Sequence, residues 1–209
     1  MLFKICGLKS IKTIKCCIKN KANFYGLVFH KKSSRNISFS KALNLVNFSR
    51  NRNINPVGVF VDKEINFVNS MIDSLKLDYV QLHGNENNKY ILDIKKNFNI
   101  KIIKSISVSS IKDLGKIEEY KESDFILLDY KPKIEEQPGG NAKTFDWKIL
   151  NNFKINKPWF ISGGINESNI RKIKKYANPD GIDLSSGVEE LPGIKSDVMI
   201  NSLFKTYYG

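Results

Sequence analysis

Residues 159–187 read WFISGGINESNIRKIKKYANPDGIDLSSG. Residues 159–162, apolar up to Ser162, read as a strand that stops at Gly163-Gly164. Residues 166–176 then read as a helix. A second short run, 181–184, apolar except for Asp183, stops at Ser185-Ser186-Gly187. Strand, helix and strand, with both strands ending in small polar residues, make one parallel βαβ unit. The same alternation runs outward in both directions. Strands are expected at 2–6, 24–29, 57–61, 78–82, 101–105 and 124–129. Helices are expected at 11–19, from Ser40 with that serine at the cap, and at 62–75, 86–98, 109–120 and 145–152. A last helix is expected over 196–207. Eight strand–helix pairs of about 26 residues each imply a parallel sheet covered by helices, and eight repeats can close into a barrel. The fold class is α/β, and a single (β/α)8 TIM barrel over residues 1–209 is expected. An open doubly wound sheet is the alternative, but no Gly-x-Gly-x-x-Gly follows the first strand. The longest irregular piece, 130–144, would then be a loop on the catalytic face.

Composition narrows the class. The chain has 209 residues, 41% apolar, enough for a sizeable core. No stretch reaches the ~18 consecutive apolar residues of a membrane helix. The 34 Lys+Arg against 21 Asp+Glu leave +13, yet only four of the basic residues are Arg: 35, 50, 52 and 171. The lysines are dispersed, with no block of five or six like charges, so no nucleic-acid partner is expected. Three cysteines, two of them adjacent, do not make a disulfide framework. The basic, partly apolar residues 1–17 lack an uninterrupted apolar core and a small-residue cleavage site, and are expected to belong to the working protein. A cytoplasmic protein is expected. With two His and no Cys/His cluster at ligand spacing, no metal site is expected.

In a barrel, chemistry gathers at the C-terminal ends of the strands. Strand one ends Lys4-Ile5-Cys6-Gly7. Alternation puts Lys4 and Cys6 on one face, where a cation would lower the thiol pKa and make a base. Read alone, Cys6 is also a small buried hydrophobe, as Cys16 and Cys17 are expected to be. Asp129 ends the apolar run 125–128; desolvation there would raise its pKa and suit a general acid, or it caps the next loop. Gly163-Gly164 and Ser185-Ser186-Gly187 leave backbone N–H groups uncovered, as an anion nest or as ordinary turns. Asp183 would face inward below them. Arg35 lies in a polar loop where its fork could take a carboxylate. Gln81 and His83 share one face of strand four and could line the site. His30 reads as a loop residue.

At these residues the sequence resembles the phosphoribosylanthranilate isomerases of tryptophan biosynthesis. The resemblance runs in order through Lys4-Ile5-Cys6-Gly7, Gly26-Leu27-Val28-Phe29, Lys32-Ser33-Ser34-Arg35, Val57-Gly58-Val59-Phe60-Val61 and Val80-Gln81-Leu82-His83-Gly84. It continues through Leu127-Leu128-Asp129, Gly139-Gly140, Lys143-Thr144-Phe145-Asp146-Trp147, Ser162-Gly163-Gly164-Ile165-Asn166, Asp183-Leu184-Ser185-Ser186-Gly187-Val188-Glu189 and Pro192-Gly193. It implies a cofactor-free Amadori rearrangement of N-(5-phosphoribosyl)anthranilate to 1-(2-carboxyphenylamino)-1-deoxyribulose 5-phosphate, in a monomer or homodimer. Carried over by position, Asp129 is the general acid, Cys6 the general base, and Arg35 the holder of the anthranilate carboxylate. The loops at Gly163-Gly164 and Ser185-Ser186-Gly187 would hold the phosphate. Lys4, Gln81, His83 and Asp183 would line the pocket. The chain departs from the family's habit at Ser34, Tyr130 and Ala142, none of which removes a chemical group. The other reading from residues alone is a further phosphosugar barrel or a basic, catalytically inert binder.

Overall fold

The computed structural model describes residues 1–131, 143–151 and 153–209. Eight parallel strands among them close into the expected barrel. They are β1 (Leu2–Cys6), β2 (Phe24–Val28), β3 (Asn55–Phe60), β4 (Tyr79–Leu82), β5 (Lys101–Val108), β6 (Phe125–Tyr130), β7 (Trp159–Ile161) and β8 (Gly181–Leu184). They pair in sequence order, and β8 returns to β1 with Leu2 opposite Gly181 and Lys4 opposite Asp183. Helices α1 (Ile11–Lys19), α2 (Phe39–Ser49), α3 (Ile65–Leu75) and α4 (Asn88–Asn97) follow the first four strands. Among the described residues no helix is long and apolar enough to cross a membrane.

Period-two alternation sorts the strand residues into two cores. Phe3, Ile5, Tyr25, Leu27, Val80 and Leu82 point outward and pack under the helices. Cys6, Phe24, Val28, Val57, Val59, Ile103, Leu127 and Phe160 fill the interior. The rings of Phe24, Tyr79, Phe125 and Phe160 meet at 5.0–6.0 Å near the N-terminal ends of the strands. The barrel is therefore plugged from below and opens only towards the opposite rim.

The helical layer departs from expectation in its second half. The stretch 109–120 makes one α-turn, α5 (Ile111–Leu114), and runs on as a 3-10 helix, Gly115–Glu119. Among the described residues of the stretch 145–152, the helix is the 3-10 turn Trp147–Leu150. The stretch 166–176 starts its helix late, with a 3-10 turn Ile170–Lys172 and then α6 (Ile173–Tyr176). There polar side chains compete with the helix: Asn166 Oδ1 accepts from the Ser168 N–H and hydroxyl, and Asn169 Nδ2 donates to Gly164 O. The cap of α2 is Ser38 rather than Ser40, its hydroxyl accepting from Lys41 N–H. Glu86 does not open α4 but turns back to accept the backbone N–H groups of Asp62 and Gly84. A hairpin was not expected: β9 (Glu189–Leu191) and β10 (Ile194–Lys195) flank Pro192-Gly193, before α7 (Asp197–Tyr208). Residues 139, 140 and 142 lie outside the described residues.

A charged pair sits low inside the barrel. Lys4 Nζ and Asp183 Oδ1 are 2.9 Å apart at 0% and 5% side-chain exposure. Burial is the largest influence and pulls the ammonium down, but its partners, Asp183 foremost, together outweigh burial and hold it above the usual lysine value. Lys4→Met alone would strand a buried carboxylate, and is expected to cost about 3–5 kcal/mol of stability. The double change with Asp183→Leu should recover most of that loss. Urea unfolding of the three proteins measures both effects.

Candidate active site

The C-terminal rim gathers side chains from six strands, β1, β2, β3, β4, β6 and β8, around one open pocket. Cys6, Arg35, Gln81, His83, Asp129 and Asp183 all line it. The sequence-predicted set thus largely converges. Lys4 does not line the pocket; it lies beneath, fully buried against Asp183, because the strand rises only about 3.3 Å per residue and Cys6 covers it. Of the two small-residue loops, Ser185 reaches the pocket wall, joined by Ser162. Gly163, Gly164, Ser186 and Gly187 lie half-buried alongside it. The two loops touch: a Cβ on Gly187 would lie 1.9 Å from Ile165 O, so only glycine permits this approach.

Cys6 occupies space that its neighbours leave open. A Cβ at Gly26, opposite Cys6 on β2, would fall 2.6 Å from Sγ. Ser185 Oγ donates to the Cys6 carbonyl at 3.4 Å. The electrostatics reverse the expectation of a lowered thiol pKa. Burial is the largest influence and pushes the thiol up, outweighing Lys4 and Lys195. Lys4 is the strongest of the lowering influences, but its partner Asp183 works against it and raises the thiol. At rest Cys6 is a thiol.

Asp129 is 5% exposed, and its Oδ1 accepts the backbone N–H of Tyr130 at 2.8 Å. Gly163, at φ +88°, comes so close that a Cβ would lie 3.1 Å from this oxygen. Oδ2 lies 3.4 Å from His83 Nε2. On the far side of the imidazole, Nδ1 lies 2.8 Å from Gln81 Nε2. Tyr130 packs into the outer core, as an inward Asp129 requires.

The Arg35 fork does grip a carboxylate bidentately, and that carboxylate is internal. Nε and Nη2 donate to the two oxygens of Glu189 at 2.8 and 2.6 Å. Lys195, nearly fully buried, shares the same carboxylate and donates to Ser185 O at 3.2 Å. Burial would raise Glu189, but Arg35 and Lys195 outweigh it and hold it below the usual carboxylate value. Two cations share one anion, so the cluster keeps a surplus positive charge beside the pocket.

The sequence profile of the family described as N-(5'phosphoribosyl)anthranilate (PRA) isomerase matches residues 3–206. The chain belongs to this family. The N-(5'-phosphoribosyl)anthranilate isomerase of Paramagnetospirillum magneticum is 35% identical over 208 residues, covering 99% of this chain and 96% of that protein. Phosphoribosyl anthranilate isomerase from Thermotoga maritima superposes with a TM-score of 0.88 at 32% identity, covering 99% and 98% of the two chains. A family structure in complex with reduced 1-(o-carboxyphenylamino)-1-deoxyribulose 5-phosphate superposes at 0.82 with 30% identity and the same coverage.

Residue reading missed several contributors, Ser33 and Ser162 on the pocket wall among them. His30 is a loop residue as expected, yet it also lines the pocket. Glu189 and Lys195 sit on the unexpected hairpin; the signal was Pro192-Gly193, a turn dipeptide between two short runs. Gly26 was visible as a glycine inside a strand, which marks a close approach. Gly26→Ala should force the Cys6 side chain aside and cost about 1–3 kcal/mol by overpacking. Chemical denaturation measures the loss, and an unchanged midpoint would show that the thiol has room to spare.

Proposed function

We propose that the chain isomerises N-(5-phosphoribosyl)anthranilate to 1-(2-carboxyphenylamino)-1-deoxyribulose 5-phosphate. The observation that carries this reading is that one pocket on the rim is lined by a thiol, a carboxyl and an Arg side chain, in a chain of this family. The complexed family structure, with its reduced product-like ligand, supports the substrate class.

In this reading Asp129 gives its proton to the furanose ring oxygen as the C1′–O bond breaks. The anilino nitrogen supplies the electron pair, leaving a protonated Schiff base that acidifies the C2′ proton. The Cys6 thiolate removes that proton, and the enolamine tautomerises to the ketone. C1′ is reduced as C2′ is oxidised, so no electrons leave the substrate and the scheme needs no cofactor. A thiol held high by burial ionises rarely, but its thiolate is then a strong, poorly solvated base.

With Nε and Nη2 on Glu189, Nη1 is the Arg35 nitrogen left to take an oxygen of the anthranilate carboxylate. The surplus charge of Arg35, Glu189 and Lys195 favours that anion. Gly163, Gly164, Ser185, Ser186 and Gly187 would take the phosphate, a role supported by the contact between their two loops. Asp183 sits low in the wall and would accept a ribose hydroxyl. The assembly is a monomer or a homodimer; a Thermotoga maritima relative was solved as monomers generated from a dimeric enzyme. A charged sugar phosphate as substrate fits a cytoplasmic enzyme.

The test is decay of substrate fluorescence, with substrate made in place from anthranilate and phosphoribosyl pyrophosphate. Cys6→Ser and Asp129→Asn are each expected to lower kcat by at least ~100-fold with folding intact. Near-normal turnover in either variant removes that residue's role. Arg35→Ala should act mainly on KM; a pure kcat effect would relocate it. Because burial raises the free-enzyme thiol, the limb of kcat/KM that reports the base should rise with pH above the ordinary thiol value of about 8.5. A base limb near neutrality would contradict the buried-thiol account.

A further inference from the structure

The end of β4 carries a polar chain that the scheme above leaves without a task. Gln81 and His83 stand two residues apart, so both side chains face inward. Gln81 is 1% exposed, with its amide nitrogen 2.8 Å from His83 Nδ1. Across the ring, Nε2 faces Asp129 Oδ2 at 3.4 Å.

A neutral imidazole holds one proton, and the partner of one nitrogen decides where it sits. An amide N–H directed at Nδ1 makes that nitrogen the acceptor and leaves the proton on Nε2, towards Asp129. The amide's orientation follows from cost. Gln81 Oε1 is buried without a hydrogen-bond partner among the described residues. Turning the amide over would bury two unpaired N–H hydrogens there instead, and an orphaned donor is worse tolerated than an orphaned carbonyl.

We infer that Gln81 is a positioning residue for the proton-donating carboxyl: it holds His83 as the Nε2–H tautomer, whose N–H stabilises the Asp129 carboxylate left after proton transfer. The inference rests on the reaction proposed above. When Asp129 gives up its proton, charge develops on a carboxylate that water barely reaches. Oδ1 already has the Tyr130 N–H, and Oδ2 gains the imidazole N–H. Two donors set where charge will appear, before the reaction, are the kind of electrostatics that lowers a barrier. A separation of 3.4 Å is long for a hydrogen bond, and such contacts commonly tighten once substrate is bound. The opposite tautomer would turn a lone pair on the same oxygen and repel the carboxylate.

The chain has two histidines, so 15N-labelled His30→Gln protein carries His83 alone. Its long-range 1H–15N correlation spectrum at neutral pH should show Nε2 protonated and Nδ1 bare. Adding Gln81→Glu, whose carboxylate only accepts, should move the proton to Nδ1. Gln81→Leu should lower kcat by about 10-fold, the scale of one lost hydrogen bond, while KM holds. Protonation of Nδ1 in the His30→Gln protein, an unmoved proton in Gln81→Glu, or full kcat in Gln81→Leu each overturns the inference. Should Gln81→Leu fail to fold, the His30→Gln spectrum still decides. If the unsubstituted chain does not turn over, the proposed reaction falls, while the tautomer is read independently of it.

Discussion

The barrel closes over a buried ion pair. Lys4 on the first strand and Asp183 on the last face each other at the seam, 2.9 Å apart and nearly without solvent. Such a pair gains little net stability, because both charges lose their water. What it resists is misregister. Sliding β8 by one residue would send Asp183 outward and leave Lys4 charged in an apolar interior. The pair therefore ties the two chain-distant strands in the one register that brings Cys6 and Ser185 together at the rim, where the serine hydroxyl meets the Cys6 carbonyl.

Above this seam, the rim is organised by donors and acceptors satisfied from within. Glu189 takes two of the three Arg35 nitrogens and shares Lys195 with the Ser185 carbonyl. Tyr130 N–H holds one oxygen of Asp129, and His83 stands near the other. Each of these side chains thus has a fixed orientation before any ligand arrives, as a preorganised site requires. Below, the four rings around Phe24 and Phe160 close the barrel, so polar ligands can approach this chemistry only from the rim.

Much of this was legible in residues alone. The strands were readable because parallel strands buried on both faces leave short apolar runs, and each run ended where polar residues began. That boundary located Cys6, Asp129, His83 and Ser185 without any knowledge of contacts. The second-half helices were less legible. Asn166 and Asn169 look like ordinary helix-opening residues, but their amides bond back to the loop and delay the helix. Ser38 and Ser40 offer the same chemistry two residues apart; in the structure Ser38 is the extended residue that caps, and Ser40 already lies in the helix.

The order of residues was enough to settle the architecture, the rim and the kinds of chemical group on it, because alternation and strand ends are local properties. It could not settle the state of those groups. A lysine two residues from a cysteine reads as a thiol activator; in the folded chain Asp183, 179 residues away, neutralises it and burial prevails. Arg35 reads as a free fork; a glutamate 154 residues later takes two of its three nitrogens. Charge balance and desolvation depend on which distant side chains meet in space, and that is known only once the barrel has closed.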